Sequence, residues 1–433
     1  MSSRRLLIEN IASLTILQGL NYAAPLITLP YLVRVLQPSH FGLLSFAQGI
    51  VLYFDFFTDF GFNFSQTRAV AACRHTPESV SRIFWSTIYA KALLMGTSAV
   101  ALTLLVAFTP KLRETPALYA VNFLYVIGTT FFPVWFFQGL ERMKLAAALF
   151  GVARLLTVPG LLLFVRHSDD YVIAGAIQAS VEVTAGILAW PIILKGMGLT
   201  WRPPSAPEIV DTLKRAWPLF LSASALQLSS SSTVVILGFV AGKVEVGYFS
   251  AADKLIKASI AALNPLGQAL YPHITAAKLR SSVSALHLIR KSFFVIGVLS
   301  VCISAMTAIW ARPACNVILG KSFEHSIAVL QYLSPLPLLF GLSNVFGTQT
   351  MLVFDMDALF SKIMLLSAIV ALPVTVFLSA SHGAVGAAAA SVITATFMLA
   401  AMLIALHEKG MHIWKSPKPH SALLMETSRV RPE

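Results

Sequence analysis

Apolar runs of about 20 residues or more follow one another along this sequence, and short polar stretches separate them. A helix needs about 20 mostly apolar residues to cross the hydrocarbon layer of a bilayer, which is about 30 Å thick. Apolar residues make up 57% of the 433 positions and charged residues 12%. An ordinary soluble domain has roughly 25% charged residues. The runs therefore predict an all-α, polytopic membrane protein and exclude a soluble globular domain.

The runs form two sets of six, on either side of a polar, proline-rich stretch at 195–215 that contains WRPPSAPE. We predict about twelve transmembrane helices in two pseudo-symmetric six-helix bundles, residues 1–205 and 206–433, with a cytoplasmic tail at 407–433. The predicted spans of the first bundle are 10–33, 42–64, 83–109, 116–140, 145–165 and 171–194. Those of the second bundle are 216–241, 245–271, 292–311, 326–352, 363–380 and 383–406.

The basic residues indicate the orientation of the chain in the membrane. The sequence has 32 Lys and Arg and 19 Asp and Glu, for a formal net charge of +13. If the N-terminus is cytoplasmic, 21 of the basic residues lie on the cytoplasmic side, seven lie in the opposite loops and four lie inside spans. This bias predicts that both termini are cytoplasmic. The basic loops are expected to meet anionic lipid headgroups, and we expect no nucleic acid partner.

The cysteines and glycines give no sign of a cofactor. Cys73, Cys302 and Cys315 lie in three separate segments, without a CxxC spacing and without a histidine cluster beside them. We expect neither a disulfide framework nor a metal site, and no cofactor. The absence of a nucleotide-phosphate loop argues against an ATP-driven pump.

The two sets of six spans also resemble each other in sequence, at an offset of 205 residues. Gly42 corresponds to Gly247, and Ser45 corresponds to Ser250. At the same offset, polar character recurs where Gln48, Asp59 and Asn63 correspond to Asp253, Asn264 and Gln268. Many transporters are built by internal duplication, with the substrate path between the repeats.

Polar residues at helical spacing form a stripe on one face of the second span and of the eighth span. A charge near the bilayer centre costs roughly 2.5–3.5 kcal/mol, so such residues face a cavity or one another. The stripes predict either a water-filled cavity, whose carboxylates couple an ion gradient to transport, or hydrogen bonds that hold the bundle together. The second span contributes Gln48, Asp55, Asp59 and Asn63. The eighth span contributes Asp253, Lys257, Asn264 and Gln268.

Two basic residues of the eighth span have alternative explanations. Asp253 and Lys257 are candidates for coupling an ion and for binding substrate. The alternative is that they neutralise each other, since they have the spacing and the order of a helix ion pair. Lys254 points elsewhere on the helix, and we expect it to reach the outer membrane surface.

Residues 21–68, NYAAPLITLPYLVRVLQPSHFGLLSFAQGIVLYFDFFTDFGFNFSQTR, resemble the N-terminal region of bacterial O-antigen and polysaccharide repeat-unit flippases. These proteins belong to the multidrug/oligosaccharidyl-lipid/polysaccharide flippase superfamily. The runs PLITLPYLVRVLQPSHFG and DFGFNFSQTR carry the likeness, which covers about a tenth of the chain. One position departs from it, because the family more often has glycine where this chain has Gln37.

The resemblance implies a translocase of the bacterial inner membrane and not an enzyme. Its cargo would be an undecaprenyl-diphosphate-linked oligosaccharide, moved from the cytoplasmic to the periplasmic leaflet by alternating access and coupled to a proton or sodium gradient. A polysaccharide polymerase and the chain-length machinery are the protein partners it implies. The sequence leaves the sugar composition, the coupling ion and the oligomeric state open.

A diphosphate cargo needs cationic partners, and arginine can bind phosphate with two hydrogen bonds. Lys91 in the third span and Arg154 in the fifth have no acidic residue within helical reach in the sequence. Both are predicted to bind substrate. The alternatives are that Arg154 pairs with Glu182 of the sixth span, itself a candidate for ion coupling, and that Lys91 pairs with Asp55 or Asp59.

Arg34 and Arg68 flank the quoted region on opposite faces of the membrane. They are candidates for gating or for receiving the diphosphate. The alternative is that both are anchors at the membrane interface.

Three other functions are compatible with such a chain. A drug/cation antiporter and a peptidoglycan-precursor flippase of the same superfamily share the expected fold, and Lys91 and Arg154 argue against the first of them. A membrane-embedded polysaccharide polymerase would have a large periplasmic loop. The longest external loop here, about 311–325, is too short to form one.

Overall fold

The structure is a computed structural model that describes the backbone of residues 3–411 and the side chains of residues 27–411, apart from 221–231 and 269. Every regular element in residues 3–411 is a helix, which confirms the predicted all-α class. The predicted first span, 10–33, lies mostly outside the described side chains. Most of the predicted tail 407–433 lies outside the described residues.

The first half of the chain, residues 1–205, contains nine α-helices within its described part. They are α1 (Ser3–Asp59), α2 (Phe62–Cys73), α3 (Pro77–Phe108), α4 (Pro110–Arg113), α5 (Pro116–Asn122), α6 (Leu124–Phe131), α7 (Val134–Gly139), α8 (Met143–Phe164) and α9 (Tyr171–Gly196). A short 3₁₀ helix, Ser168–Asp170, precedes α9.

The second half, residues 206–433, contains seven α-helices within its described part. They are α10 (Ala206–Val240), α11 (Lys243–Ala261), α12 (Asn264–Arg280), α13 (Ser282–Ala314), α14 (His325–Leu333), α15 (Leu336–Ser343) and α16 (Asp357–Glu408). Two π-helical segments, Cys315–Leu319 and Asn344–Leu352, follow α13 and α15.

Eight helical runs among the described residues are long and apolar enough to cross a membrane. Two of them have 47 and 52 residues, or about 70 and 78 Å at 1.5 Å per residue, which is more than twice the hydrocarbon thickness. The runs are Ile27–Cys73, Pro77–Phe108, Pro116–Gly139, Met143–Phe164, Ser168–Gly196, Ser282–Leu319, His325–Leu352 and Asp357–Glu408.

Two predicted spans are missing from these eight runs: 216–241, in which the side chains of 221–231 are not described, and 245–271, which is helical. The second of them is divided between α11 and α12, because the helix breaks before Asn264 and Pro265 stands in the first turn of α12. The charges of Asp253, Lys254 and Lys257 also lower its hydropathy.

The two longest runs each contain a residue with a left-handed backbone. In α1 it is Gln37, with φ 58° and ψ 167°, and in α16 it is Gly383, with φ 56°. Side chains other than glycine rarely adopt such a conformation. Gln37 is the position at which the resemblance leads us to expect glycine. Its amide nitrogen Nε2 donates to the Arg34 carbonyl at 2.7 Å, which partly stabilises the bend.

The polar stretch predicted at 195–215 is shorter in the structure, because α10 already begins at Ala206. Ser205 and Glu208 form a capping box at its start, a pattern that is visible in the sequence as S-A-P-E. The Ser205 backbone N–H donates to Glu208 at 2.8 Å and lowers the pKa of that carboxyl. Arg202 and Arg82 lie 3.2 and 3.8 Å from the same carboxylate, so the stretch is tied to the start of α3.

Three large hydrophobic clusters hold the helices together. The first joins both halves, since it combines residues of α1 such as Phe41 and Ala47 with residues of α11 such as Ala251. The second lies within the first half around Trp135, and the third lies within the second half around Phe346. The centre of the molecule is therefore the contact of α1 with α11.

Backbone packs against backbone where α1 meets α11. A Cβ atom on Gly42 would lie 1.8 Å from the Lys243 carbonyl oxygen, and a Cβ on Gly247 would lie 2.1 Å from the Pro38 carbonyl oxygen. The 205-residue offset relates Gly42 to Gly247 and also Pro38 to Lys243. The two repeats thus meet through equivalent residues, at the small-residue positions that let membrane helices approach closely.

We expect Gly42→Ala to lower the stability of the folded protein by about 1–3 kcal/mol or more, because backbone atoms cannot move away from the added methyl group. The control is Gly297→Ala, since a Cβ there meets nothing within 4 Å. Thermal unfolding of purified protein, followed by tryptophan fluorescence, measures both. Equal melting temperatures for the two variants would contradict the close approach of α1 and α11.

We expect Gln37→Gly to raise the stability by about 1 kcal/mol, because glycine adopts the left-handed conformation without the strain of about 1–3 kcal/mol that other residues pay. Gln37→Ala is the control, as it removes the same amide and keeps the Cβ. In the same unfolding assay only the glycine variant should gain stability. A gain of the same size in the alanine variant would mean that the backbone at this position is not strained.

Candidate functional site

Three adjoining cavities lie along the inside of the first half. The carboxylate cavity, of about 420 Å³, is lined by Asp55, Asp59 and Lys91 among others. The central cavity, of about 230 Å³, shares Tyr125 and Glu182 with it. The Arg–Lys cavity, of about 50 Å³, shares Arg154 and Gln178 with the central cavity and is also lined by Lys254. The shared residues join the three cavities into one polar row.

The carboxylate cavity contains a buried ion pair. Lys91 of α3 is 3% exposed, and its Nζ lies 3.3 Å from Asp59 Oδ1 and 3.2 Å from the Thr129 carbonyl oxygen. Asn63 donates to Asp59 at 2.8 Å, and the Thr129 hydroxyl donates to Asp55 at 2.5 Å. Of the two explanations of Lys91, the structure shows the pair with Asp59. Both carboxylates remain in the wall of the cavity.

The central cavity contains Arg154 and Glu182 without a direct contact between them. Arg154 Nε and Glu182 Oε2 are buried and have no hydrogen-bond partner among the described residues. The guanidinium carbon of Arg154 lies 5.7 Å from the centre of the Phe150 ring. On the opposite wall, Gln48 donates to Gln178 at 2.8 Å. Arg154 therefore faces the cavity and is not paired with Glu182 within the described chain.

The Arg–Lys cavity receives cations from both halves. Arg154 comes from α8 of the first half, and Lys254 comes from α11 of the second half. Lys254 Nζ also lies 4.7 Å from the centre of the Phe41 ring of α1. The expectation that Lys254 reaches the outer membrane surface is thus wrong. It points inward because the close packing of α11 on α1 turns this face of α11 toward the first half.

The second half contains an apolar cavity of about 470 Å³ between α10, α11, α15 and α16. Asp253, Lys257 and Asn264 of the stripe on the eighth span line it. Lys257 Nζ lies 2.7 Å from Asp253 Oδ2, so the predicted helix ion pair forms. Most of the remaining lining side chains are apolar.

Three predicted residues line none of these four cavities. Arg34 donates to the Val317 carbonyl of the other half, which ties α1 to the π-helical segment after α13. Arg68 is exposed on α2. Gln268 is exposed on α12, because the break before Asn264 ends the stripe that the sequence predicted as continuous.

The lining residues that were not among the predicted ones include Tyr125, Thr129, Gln178 and Lys254. Thr129 and Tyr125 lie in an aromatic run, and Gln178 is an isolated polar residue in the sixth predicted span. Like Gln48, Gln178 is a polar residue inside a predicted apolar span, so a search for every polar residue inside the spans would have found it. For Lys254 the sequence offers a cation but no indication of which neighbour it faces.

The fold has close counterparts among solved structures. It overlays an inward-facing multidrug resistance transporter of the MATE family with a TM-score of 0.70 at 15% identity, over 94% of this chain and 96% of the other. It overlays the lipid II flippase MurJ in an inward closed conformation with a TM-score of 0.67 at 13% identity, over 94% and 88% of the two chains. Fold and membrane-spanning runs together define a multi-pass membrane protein with the fold of these two transporters.

The amino-acid sequence assigns the chain to a family. The model of the polysaccharide biosynthesis protein family matches residues 7–278, and the chain belongs to this family. A protein of Escherichia coli (strain K12) named "Putative O-antigen transporter" is 32% identical over 396 residues, which cover 92% of this chain and 95% of that protein. The resemblance to O-antigen and polysaccharide flippases is thereby confirmed.

We expect Lys91→Met to destabilise the protein by about 3 kcal/mol, near the lower end of the cost of breaking a buried ion pair, because Asp59 is left without its partner. The double variant Lys91→Met, Asp59→Asn should recover most of this loss. Thermal unfolding measures each variant. Lys278→Met is the control, since its partner Asp355 is 85% exposed and such pairs contribute about 0–1 kcal/mol. No recovery in the double variant would exclude a coupled pair.

Proposed function

We propose that this protein is a flippase that moves an undecaprenyl-diphosphate-linked oligosaccharide from the cytoplasmic to the periplasmic leaflet of the bacterial inner membrane. The observation that carries the proposal is the Arg–Lys cavity, where Arg154 and Lys254 of opposite halves line one space. Family membership supports an O-antigen or polysaccharide cargo. A diphosphate supplies the negative charge that two neighbouring cations require.

The proposed topology has twelve spans in two six-helix bundles, with both termini cytoplasmic. The helices α1 and α16 each cross the membrane twice in this scheme, with the bends at Gln37 and Gly383 on the periplasmic side. The helices α10 and α11–α12 supply the seventh and eighth spans. The bias of Lys and Arg toward one side supports this orientation.

The proposed mechanism is alternating access. In the proposed orientation the backbone contact of Gly42 with Lys243 closes the periplasmic end. The cargo enters from the cytoplasm, its diphosphate binds Arg154 and Lys254, and the two halves then separate at the Gly42 end. Because each half contributes one of the cations, binding of the anion changes the force between the halves. This is the differential interaction that a ligand needs in order to shift a conformational equilibrium.

The carboxylate cavity is the proposed ion-coupling site. Among its described lining residues are three carboxylates, Asp55, Asp59 and Glu182, and one cation, Lys91, which pairs with Asp59. A proton or a sodium ion bound there would balance the excess negative charge. Because Glu182 and Tyr125 also line the central cavity, ion occupancy acts on the space that leads to Arg154.

The test is transport of a lipid-linked oligosaccharide across liposomes that contain the purified protein, under an imposed proton or sodium gradient. Arg154→Gln and Lys254→Gln should each lower the rate at least roughly tenfold, which corresponds to about 1.4 kcal/mol. Arg154→Lys should retain part of the rate, since lysine keeps the positive charge but cannot form the bidentate hydrogen bonds of arginine with phosphate. The control is Lys362→Gln, because Lys362 is exposed on α16.

The same vesicles distinguish the alternatives. Transport of lipid II, or efflux of a lipophilic cation, in the absence of oligosaccharide transport would identify a peptidoglycan-precursor flippase or a drug antiporter instead. Full activity of both glutamine variants would exclude diphosphate binding in the Arg–Lys cavity. Complementation of a strain that lacks its own flippase, with mass analysis of the accumulated lipid-linked sugar, identifies the cargo.

A further inference from the structure

The apolar cavity of the second half has a volume that fits a ligand. At about 470 Å³ it lies within the range of ligand cavities, roughly 300–1,000 Å³. Its walls include Phe249, Ile256 and Ile260 of α11 and Met364 and Met398 of α16. Apolar side chains form most of its walls, so an apolar occupant gains dispersion contacts with them.

The internal repeat shows that this cavity and the polar row are equivalent spaces with different chemistry. Thr28 lines the Arg–Lys cavity, and Thr233, at the 205-residue offset, lines the apolar cavity. The offset also relates Asp55 of the carboxylate cavity to Ile260 of the apolar cavity. The first half is thus suited to a charged ligand and the second half to an apolar one.

A single helix separates the two kinds of space. On α11, Lys254 faces the first half, whereas Asp253 and Lys257 line the apolar cavity. The Lys257 side chain is 55% exposed and lies beside the apolar wall. An amphiphile with an anionic group next to an apolar chain matches this arrangement. Its anionic group would lie beside a cation of α11, and its apolar chain would lie in the cavity.

We infer that the apolar cavity binds the isoprene units next to the diphosphate of the cargo. The inference rests on the proposed function. The diphosphate binds Arg154 and Lys254, while the first isoprene units pass around α11 into the cavity and the rest of the chain stays in the bilayer.

The test uses a polyprenyl diphosphate with a diazirine in its first isoprene units, bound to the full chain in liposomes of phosphatidylethanolamine and phosphatidylglycerol. After irradiation, mass spectrometry of peptides locates the cross-links. We expect them within 243–261 and 357–408, at residues that line the apolar cavity. A second probe, phosphatidylglycerol with the diazirine in an acyl chain, tests ordinary lipid as the occupant and should label other positions.

A matched pair of variants tests the cavity itself. Ala371→Trp fills it, because Ala371 is buried in its wall, whereas Leu372→Trp adds the same ring on the exposed side of the same helix. We expect Ala371→Trp to lower cross-linking in the cavity roughly tenfold and Leu372→Trp to leave it unchanged. Melting temperatures verify that both variants fold. The site of the cross-links in the unchanged protein tests the inference without either variant.

Three results would overturn the inference: cross-links confined to the first half or to the lipid-facing surface, equal labelling of the cavity by the phosphatidylglycerol probe, or cross-linking in a folded Ala371→Trp variant as strong as in the unchanged protein. The transport assay in the same liposomes separates this outcome from failure of the proposed function. If the unchanged protein transports the oligosaccharide but the cavity is not labelled, only the present inference fails. If it transports no oligosaccharide, the proposed function fails.

Discussion

The contact between α1 and α11 is the interaction on which the rest of the structure depends. Because Gly42 and Gly247 have no side chains, the backbones approach until each glycine meets a carbonyl oxygen of the other helix. The largest hydrophobic cluster forms around this contact and includes residues of both halves. Apolar side chains gain little from leaving lipid, so the association of membrane helices depends on such close packing. A larger residue at either glycine would separate the two helices that contribute Asp55, Asp59 and Lys254 to the cavities.

The same contact determines where the polar side chains lie. Two helices that touch along one face present their other faces to different spaces. Thus Asp55 and Asp59 of α1 face the carboxylate cavity, Asp253 of α11 faces the apolar cavity, and Lys254 faces the first half. A residue and its immediate neighbour on α11 therefore serve different cavities. The cation that approaches Arg154 comes from the opposite half, so the space between them exists only while the halves are in contact.

The apolar runs and the polar stripes were sufficient to predict the helical class and most of the charged residues that line the described cavities. The helix breaks were harder to predict, since they depend on single backbone conformations. Gln37 has no propensity that would signal a left-handed bend, and the sequence pattern ran through Asn264 to Gln268 without interruption. The sequence alone did not identify the partner of Lys91, because Asp55 and Asp59 are both on another helix and both were candidates. The structure shows that the partner is Asp59.

The position of Lys254 explains why the site was the least predictable part. Sequence periodicity gives the face of a helix on which a side chain lies, but not the neighbour that this face meets. For Lys254 the neighbour is set by the pairing of the two repeats, which places Phe41 and Arg154 of the first half beside it. The repeat itself contains this information in principle. Once equivalent glycines are assumed to meet, a residue seven positions after Gly247 on the inner face of α11 must lie against the first half, and the cation must be buried between the repeats.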